Sequence, residues 1–178
     1  MRLKCIFLLL LLSLMACAPK ASPSLPETVY PVYPVPAEQA EMFSLINEAR
    51  AIPRYCGDGY FAAAAPLRYH PLLSEAAKAH ALDMSQHQFF SHSGSDGSNV
   101  GTRTTRAGYL WASVGENLAY GSLGVYSEAE IVAGWLKSPG HCQNIMNAKF
   151  TELGLSKLGG EFDYWVQVFA LPQTSLTQ

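Results

Sequence analysis

"SPGHCQNIM", residues 138 to 146, sets His141 directly beside Cys142, just past the end of a helix-like pattern. A histidine touching a cysteine can be a thiol nucleophile with its base, part of a metal site, or an imidazole beside an unrelated disulfide. Two further stretches carry side chains of chemical interest: "FFSHSG" with His92 and "VGENLAY" with Glu116. Two imidazoles and a carboxylate are ligand types that zinc prefers, and equally the acid and base of a hydrolytic site. They lie far apart in the chain, so only folding can gather them. No "GxSxG" or "HExxH" occurs, which removes the serine-hydrolase and zincin signatures.

The elements that must position these residues follow from spacing. "AEQAEMFSLINEAR" places Met42, Leu45, Ile46 and Ala49 on one helical face, and Pro53 ends the pattern, with Cys56 and "GDG" following in a loop. A short extended piece is expected around "PLRYH". "LLSEAAKAHALDMSQ" then repeats the helical spacing, with His80 inside its apolar stripe as a hydrogen-bonded core imidazole. His87 reads as a surface residue, and His70 before Pro71 as closing a turn. Residues 91 to 108 are loop by composition, and long loops in compact domains are often functional. A third helix opens at Ser127, which can cap it reciprocally with Glu130, carries Trp135 inward, and is broken by Pro139 and Gly140. "ELGLSKL" and "YWVQVFAL" alternate like strands across the turn-rich "GGEFD" and predict an antiparallel hairpin. Asn117, Asn144 and Asn147 read as ties to loop backbone. Trp135, Tyr164, Trp165 and Phe169 read as core. Helices before and between few strands predict an α+β layered fold in one domain.

The beginning of the chain reads as an address. Arg2 and Lys4 precede an apolar run from Ile6 to Met15 that is too short for a permanent membrane helix, the pattern of an export signal over residues 1 to 16. "LMAC" then resembles the bacterial lipoprotein signal, in which Cys17 is lipidated and becomes the first residue. From Ala18 to Pro36, six of nineteen residues are proline. Such a segment favours extended polyproline II and could hold a domain up to about 60 Å from a lipid anchor. Residues 17 to 36 thus read as anchor and tether, and residues 37 to 178 as the folded domain. Removing residues 1 to 16 leaves ten basic against fourteen acidic side chains, a net charge of −4, which argues against nucleic acid.

Taken as a set, "FFSHSGSDG", "RAGYLWASVGENLAYG", "AGWLKSPGHCQNIMNAKFTELGL" and "YWVQVFA" resemble the bacterial branch of the CAP superfamily of cysteine-rich secretory proteins, antigen 5 and pathogenesis-related proteins. The resemblance runs from about Ala40 to Leu171. It implies a three-layer α-β-α sandwich with a central antiparallel sheet, whose cleft holds two histidines and up to two acidic residues. Carried over, these are His92, Glu116 and His141. Where eukaryotic members have the second acid, this chain has Ser138, which cannot hold a charge at neutral pH.

With Cys5 lost in the signal and Cys17 lipidated, the exported domain keeps Cys56 and Cys142, and an oxidising compartment favours their pairing. A Cys142 nucleophile activated by His141 stays open as the alternative. The expected function is a lipid-anchored module of the cell envelope, facing the periplasm from an outer membrane if the source has one. Its cleft of His92, Glu116, Ser138 and His141 would accept a small apolar, sterol-like or peptidoglycan ligand. His92 and His141 would bind zinc or another divalent metal weakly. The alternatives are a hydrolase of peptide or peptidoglycan bonds, in which Glu116 and an imidazole or a metal-bound water activate the attacking water, and a structural envelope protein with a vestigial cleft.

Overall fold

The computed structural model describes residues 31–173. The signal segment and Cys17 lie outside the described residues, as does most of the tether. The domain opens with helix α1 (Ala37–Arg50), followed by the strands β1 (Arg54–Cys56), β2 (Gly59–Phe61) and β3 (Arg68–Tyr69). Helices α2 (Pro71–His87) and α3 (Val100–Arg106) lead into the long strand β4 (Trp111–Ser122). Helices α4 (Glu128–Lys137) and α5 (Pro139–Met146) and the hairpin β5 (Glu152–Gly159) and β6 (Phe162–Pro172) complete it.

The main sheet runs β3-β5-β6-β4, so among the described residues β4 is an edge strand paired with β6. Its long strands are antiparallel, as expected; the exception is the two-residue β3, which lies parallel to β5. Alternation along β6 separates two cores. Tyr164, Val166, Val168 and Ala170 pack with Leu73, Ala77, Ala81 and Met84 of α2. Trp165 and Phe169 face the other way, against Ile46 of α1, Val132 and Trp135 of α4 and Ile145 of α5. Helices therefore cover both faces of one sheet, the α-β-α sandwich. Contact on the α2 side is close enough to require Gly154, where an added Cβ would stand 2.1 Å from the Ser74 nitrogen.

Three expectations need correction. Cys56 ends a strand, and Gly57 turns the β1–β2 hairpin with φ 62°, a left-handed value that costs glycine nothing. The segment from 91 to 108 contains α3, capped by Asn99, whose side chain accepts from the Thr102 amide at 2.9 Å. The third helix ends before Pro139 as expected, but a new helix begins at once. The capping box at Ser127 and Glu130 starts α4 as predicted, but Ser138 is both the last cap of α4 and the first of α5, with Pro139 in its first turn. Proline breaks a helix interior yet suits the first turn, where its missing N–H has no helical partner to lose. His141 and Cys142 therefore stand on a helix rather than in a loop.

Arg50 sets where that helix ends. Its side chain is fully buried and donates to the carbonyls of Ala65 (2.8 Å), Ile145 (2.6 Å), Asn147 (3.1 Å) and Phe150 (3.2 Å). Burial lowers its pKa to about 10, so it stays charged at neutral pH. A cation among carbonyls at the end of α5 is favoured by the helix dipole and satisfies acceptors that helix geometry leaves free.

Candidate functional site

Glu116 lies on β4 with its side chain toward α2 and only 2% exposed. A buried carboxylate is costly unless paired, and this one is paired on both oxygens. Oε1 accepts from His92 Nδ1 at 2.8 Å, and Oε2 from Arg103 Nη2 at 2.7 Å. An ionised carboxylate can only accept, so a neutral His92 ring carries its proton on Nδ1 and leaves Nε2 as an acceptor. The His92 side chain is 62% exposed, in contrast to its partner.

The segment bearing His92 is pinned from three elements. His80 on α2 donates through Nε2 to the Ser91 carbonyl at 2.8 Å. Arg103 on α3 donates to the carbonyls of Ser98 at 2.8 Å and His92 at 3.1 Å. Glu116 on β4 takes the ring. His80 is the core imidazole expected of it, fully buried, yet its Nε2 also lies 4.0 Å from Glu116 Oε1, and burial lowers its pKa. Sequence reasoning missed Arg103 altogether. Arg103, one of two arginines in "VGTRTTR", signals nothing until α3 is recognised as a helix packed behind the cleft.

His141 reaches the same place from the opposite face. It sits in the first turn of α5, half-buried, with its pKa lowered by burial and then by the neighbouring His92. Two asparagines join the halves across the open edge of β4. Asn117 donates to the His141 carbonyl at 3.1 Å and to Gln167 Oε1 at 3.1 Å. Asn144 donates to the Glu116 carbonyl at 3.1 Å and to Asn117 Oδ1 at 2.9 Å. They do tie backbone, but from a strand and a helix. Asn147 ties a loop as expected, accepting from the Lys149 amide at 3.0 Å.

A groove of about 450 Å³ continues from His141 and Ser138 between α4 and the edge of β4. Phe90, Tyr120, Tyr126, Ile131 and Trp135 give it apolar walls, while Glu116 and His92 stand outside it. Trp135 is core as predicted, and its indole donates to the Leu118 carbonyl at 2.8 Å. Ser138 belongs to this groove, and its hydroxyl makes no cap bond to α5.

Cys142 is fully buried and bonded to Cys56, with the Cα atoms 5.4 Å apart across 86 positions of sequence. The disulfide links a strand end to a helix and leaves no thiol for His141 to activate. The donor set for a metal is thin. Among the described residues no three His, Cys, Asp or Glu side chains converge as ligands, and both Glu116 oxygens are engaged. The residues therefore do not fit a closed zinc site, which takes four ligands, or a catalytic one, which takes three from the protein.

An α-β-α sandwich that brings His92 near His141 at an edge strand, with His92 bonded to a buried glutamate, defines a class, and comparison with known proteins agrees with it. The model of the cysteine-rich secretory protein (CAP) family matches residues 43–169, and the chain belongs to that family. It is 30% identical over 104 residues to the uncharacterized protein YkwD of Bacillus subtilis, covering 58% of this chain but only 39% of that relative. Among solved structures, an outer surface protein of Borrelia burgdorferi superposes with a TM-score of 0.65 at 20% identity, over 77% of this chain and 95% of the other. An extracellular SCP-domain protein of Bacillus anthracis gives 0.61 at 24% identity, over 78% and 44%. At these identities the structural likeness speaks for the fold.

Proposed function

We propose that this chain is an exported, lipid-anchored CAP protein whose domain is a binding module for a small apolar ligand of the cell envelope. The observation that carries the reading is the groove between α4 and β4, apolar along its walls and ending at Ser138 and His141. A concave site with apolar walls and few convergent polar groups suits a ligand with a hydrocarbon body and one polar end. Glu116 supports binding over hydrolysis. With its side chain 2% exposed and each oxygen already accepting from His92 or Arg103, it is shielded from the water it would have to deprotonate. His92 Nε2 and His141 are the polar groups left to meet a ligand's hydroxyl or to hold zinc as a weakly bound, exchangeable guest.

The anchor rests on "LMAC" and the proline-rich stretch, and it agrees with relatives described as secreted, extracellular or on an outer surface. By resemblance to enterobacterial sorting, Ala18 after the cysteine directs the protein to an outer membrane, facing the periplasm, where one exists. Protein isolated from its own envelope and extracted with organic solvent should release an apolar ligand detectable by mass spectrometry. Cys17→Ser should move the protein from the membrane to the soluble fraction. An empty extract contradicts the ligand, and unchanged membrane retention contradicts the anchor.

A further inference from the structure

A second groove, of about 350 Å³, lies on the α2 face of the sheet between the C-terminal end of α2, the β5–β6 turn and the end of β4. Its lining includes Ser85, Gln88, Tyr120, Glu161, Phe162 and Tyr164. It shares Phe90 and Tyr120 with the groove described above and does not reach His141 or Ser138.

The Tyr120 ring is the hub of this surface. Phe162, Phe90 and Tyr164 stand around it with centroids at 4.9, 5.5 and 5.5 Å. Tyr120 remains 45% exposed and Phe90 49%. Rings that are held by neighbours but open to solvent form a platform whose side-chain entropy is already spent before anything binds. The polar groups around it are equally ready. Among the described residues, the side chains of Ser85, Gln88, Tyr120 and Glu161, and that of the more buried Tyr164, make no hydrogen bond to protein. They offer hydroxyls, an amide and a carboxylate toward one space.

Gln88 adds a backbone observation. It closes α2 with φ 53° and ψ 49°, and it is the one non-glycine residue with positive φ among those described. Glycine or asparagine ordinarily closes a helix in this conformation, because a longer side chain is strained there. Strain kept at the rim of a groove points to a use for the side chain that the fold does not itself require.

We propose that this groove binds a pyranose glycan, with the apolar face of one sugar ring stacked on Tyr120 and its hydroxyl or acetamido groups bonded to Gln88, Glu161 and the tyrosine hydroxyls. Exposed aromatic faces ringed by unpartnered hydroxyl, amide and carboxylate groups match a sugar, which presents C–H bonds on its face and hydrogen-bonding groups around its edge. A purely apolar ligand would leave the polar groups unmatched, and a metal ion would find one carboxylate. The sugar site does not require the apolar ligand proposed for the other groove, although Phe90 and Tyr120 line both, so the test includes a variant confined to the α4 groove.

The test titrates the folded domain with tetra-N-acetylchitotetraose, following tyrosine side-chain signals by NMR. Saturable binding is expected in the wild type. Tyr120→Ala should weaken it at least tenfold by removing the platform. Gln88→Gly should weaken it by a similar factor while keeping or raising the melting temperature, because glycine relieves the left-handed strain. Gly134→Leu, which fills only the α4 groove, should bind as the wild type does. Absence of saturable binding at millimolar sugar overturns the proposal, as does wild-type affinity in both Tyr120→Ala and Gln88→Gly. Loss of binding in Gly134→Leu would place the sugar in the other groove and equally overturn it.

Discussion

Arg50 donates to the Ile145 carbonyl at 2.6 Å, tying the end of the first helix to the last turn of the helix that carries His141. The position of the site thus depends on a guanidinium far from it in sequence. Arg50→Met keeps the bulk but removes the donor to the Ala65, Ile145 and Phe150 carbonyls, while the Asn147 carbonyl keeps the Phe150 amide, and it should cost about 3 kcal/mol. Arg50→Lys should recover only part of this, since an ammonium cannot span the same acceptors. Urea denaturation measures both; a loss under about 1 kcal/mol for Arg50→Met contradicts the role.

The pairing of His92 with Glu116 predicts a tautomer. Long-range nitrogen-proton NMR should find the neutral His92 ring protonated on Nδ1 in the wild type, and this preference should be lost in Glu116→Gln. The same substitution should destabilise the fold by about 1.5 to 3 kcal/mol, because it weakens charge-assisted bonds to both His92 and Arg103. Protonation on Nε2 in the wild type would overturn the assignment.

Histidine burial sets a pH dependence. His70, His80 and His141 all have pKa values lowered, each chiefly by burial, so the folded state keeps them neutral where the unfolded chain takes up protons. Their stabilising contribution is complete above about pH 6.5, the unfolded value, and is lost as pH falls toward their folded values. Unfolding free energy should therefore fall between pH 7.5 and pH 5.5, and His80→Gln should flatten that slope. A profile that is level or rises on acidification contradicts the assignment.

The disulfide is a further stabilising constraint. In the chain-entropy model, a crosslink across 86 positions contributes up to about 4 to 5 kcal/mol, an upper figure because native strain and residual unfolded structure reduce it. Replacing both Cys56 and Cys142 by serine should lower stability by as much as that, and reduction of the wild type should reproduce most of the loss. Peptide mapping without reductant should recover the Cys56–Cys142 crosslink; two alkylatable thiols would contradict it.

What the sequence disclosed and what it hid divide along physical lines. Helical periodicity located α1 and α2, the Ser127–Glu130 pair located the start of α4, and two strand-like runs joined by the turn-rich "GGEFD" located β5 and β6, even though β6 is buried on both faces. Strand β4 escaped, since "WASVGENLAYGS" breaks its alternation with glycines and with the polar Glu116 and Asn117, both buried for reasons made elsewhere in the chain. Helix α3 escaped because glycine and threonines are poor helix formers, and α5 because proline reads as a stop until Ser138 is seen to start a new turn. His92, Glu116 and His141 were legible as a set through motif resemblance. Their dependence on Arg103, His80 and Arg50 was not, because buried arginines act through contacts that no local spacing records.

The α4 groove is where the central claim is tested most directly. Gly134 lines it from the middle of α4, where glycine costs about 1 kcal/mol relative to alanine, and a Cβ added there meets nothing within 4 Å. Packing does not demand this glycine; its effect is to leave the groove open. Gly134→Leu should fill the groove while leaving the melting temperature unchanged or higher. Isothermal titration of the ligand extracted from the native protein is the deciding measurement. The wild type should saturate, and Gly134→Leu should bind at least tenfold more weakly. Equal affinity in the two folded proteins would show that the ligand does not occupy this groove and would contradict the account.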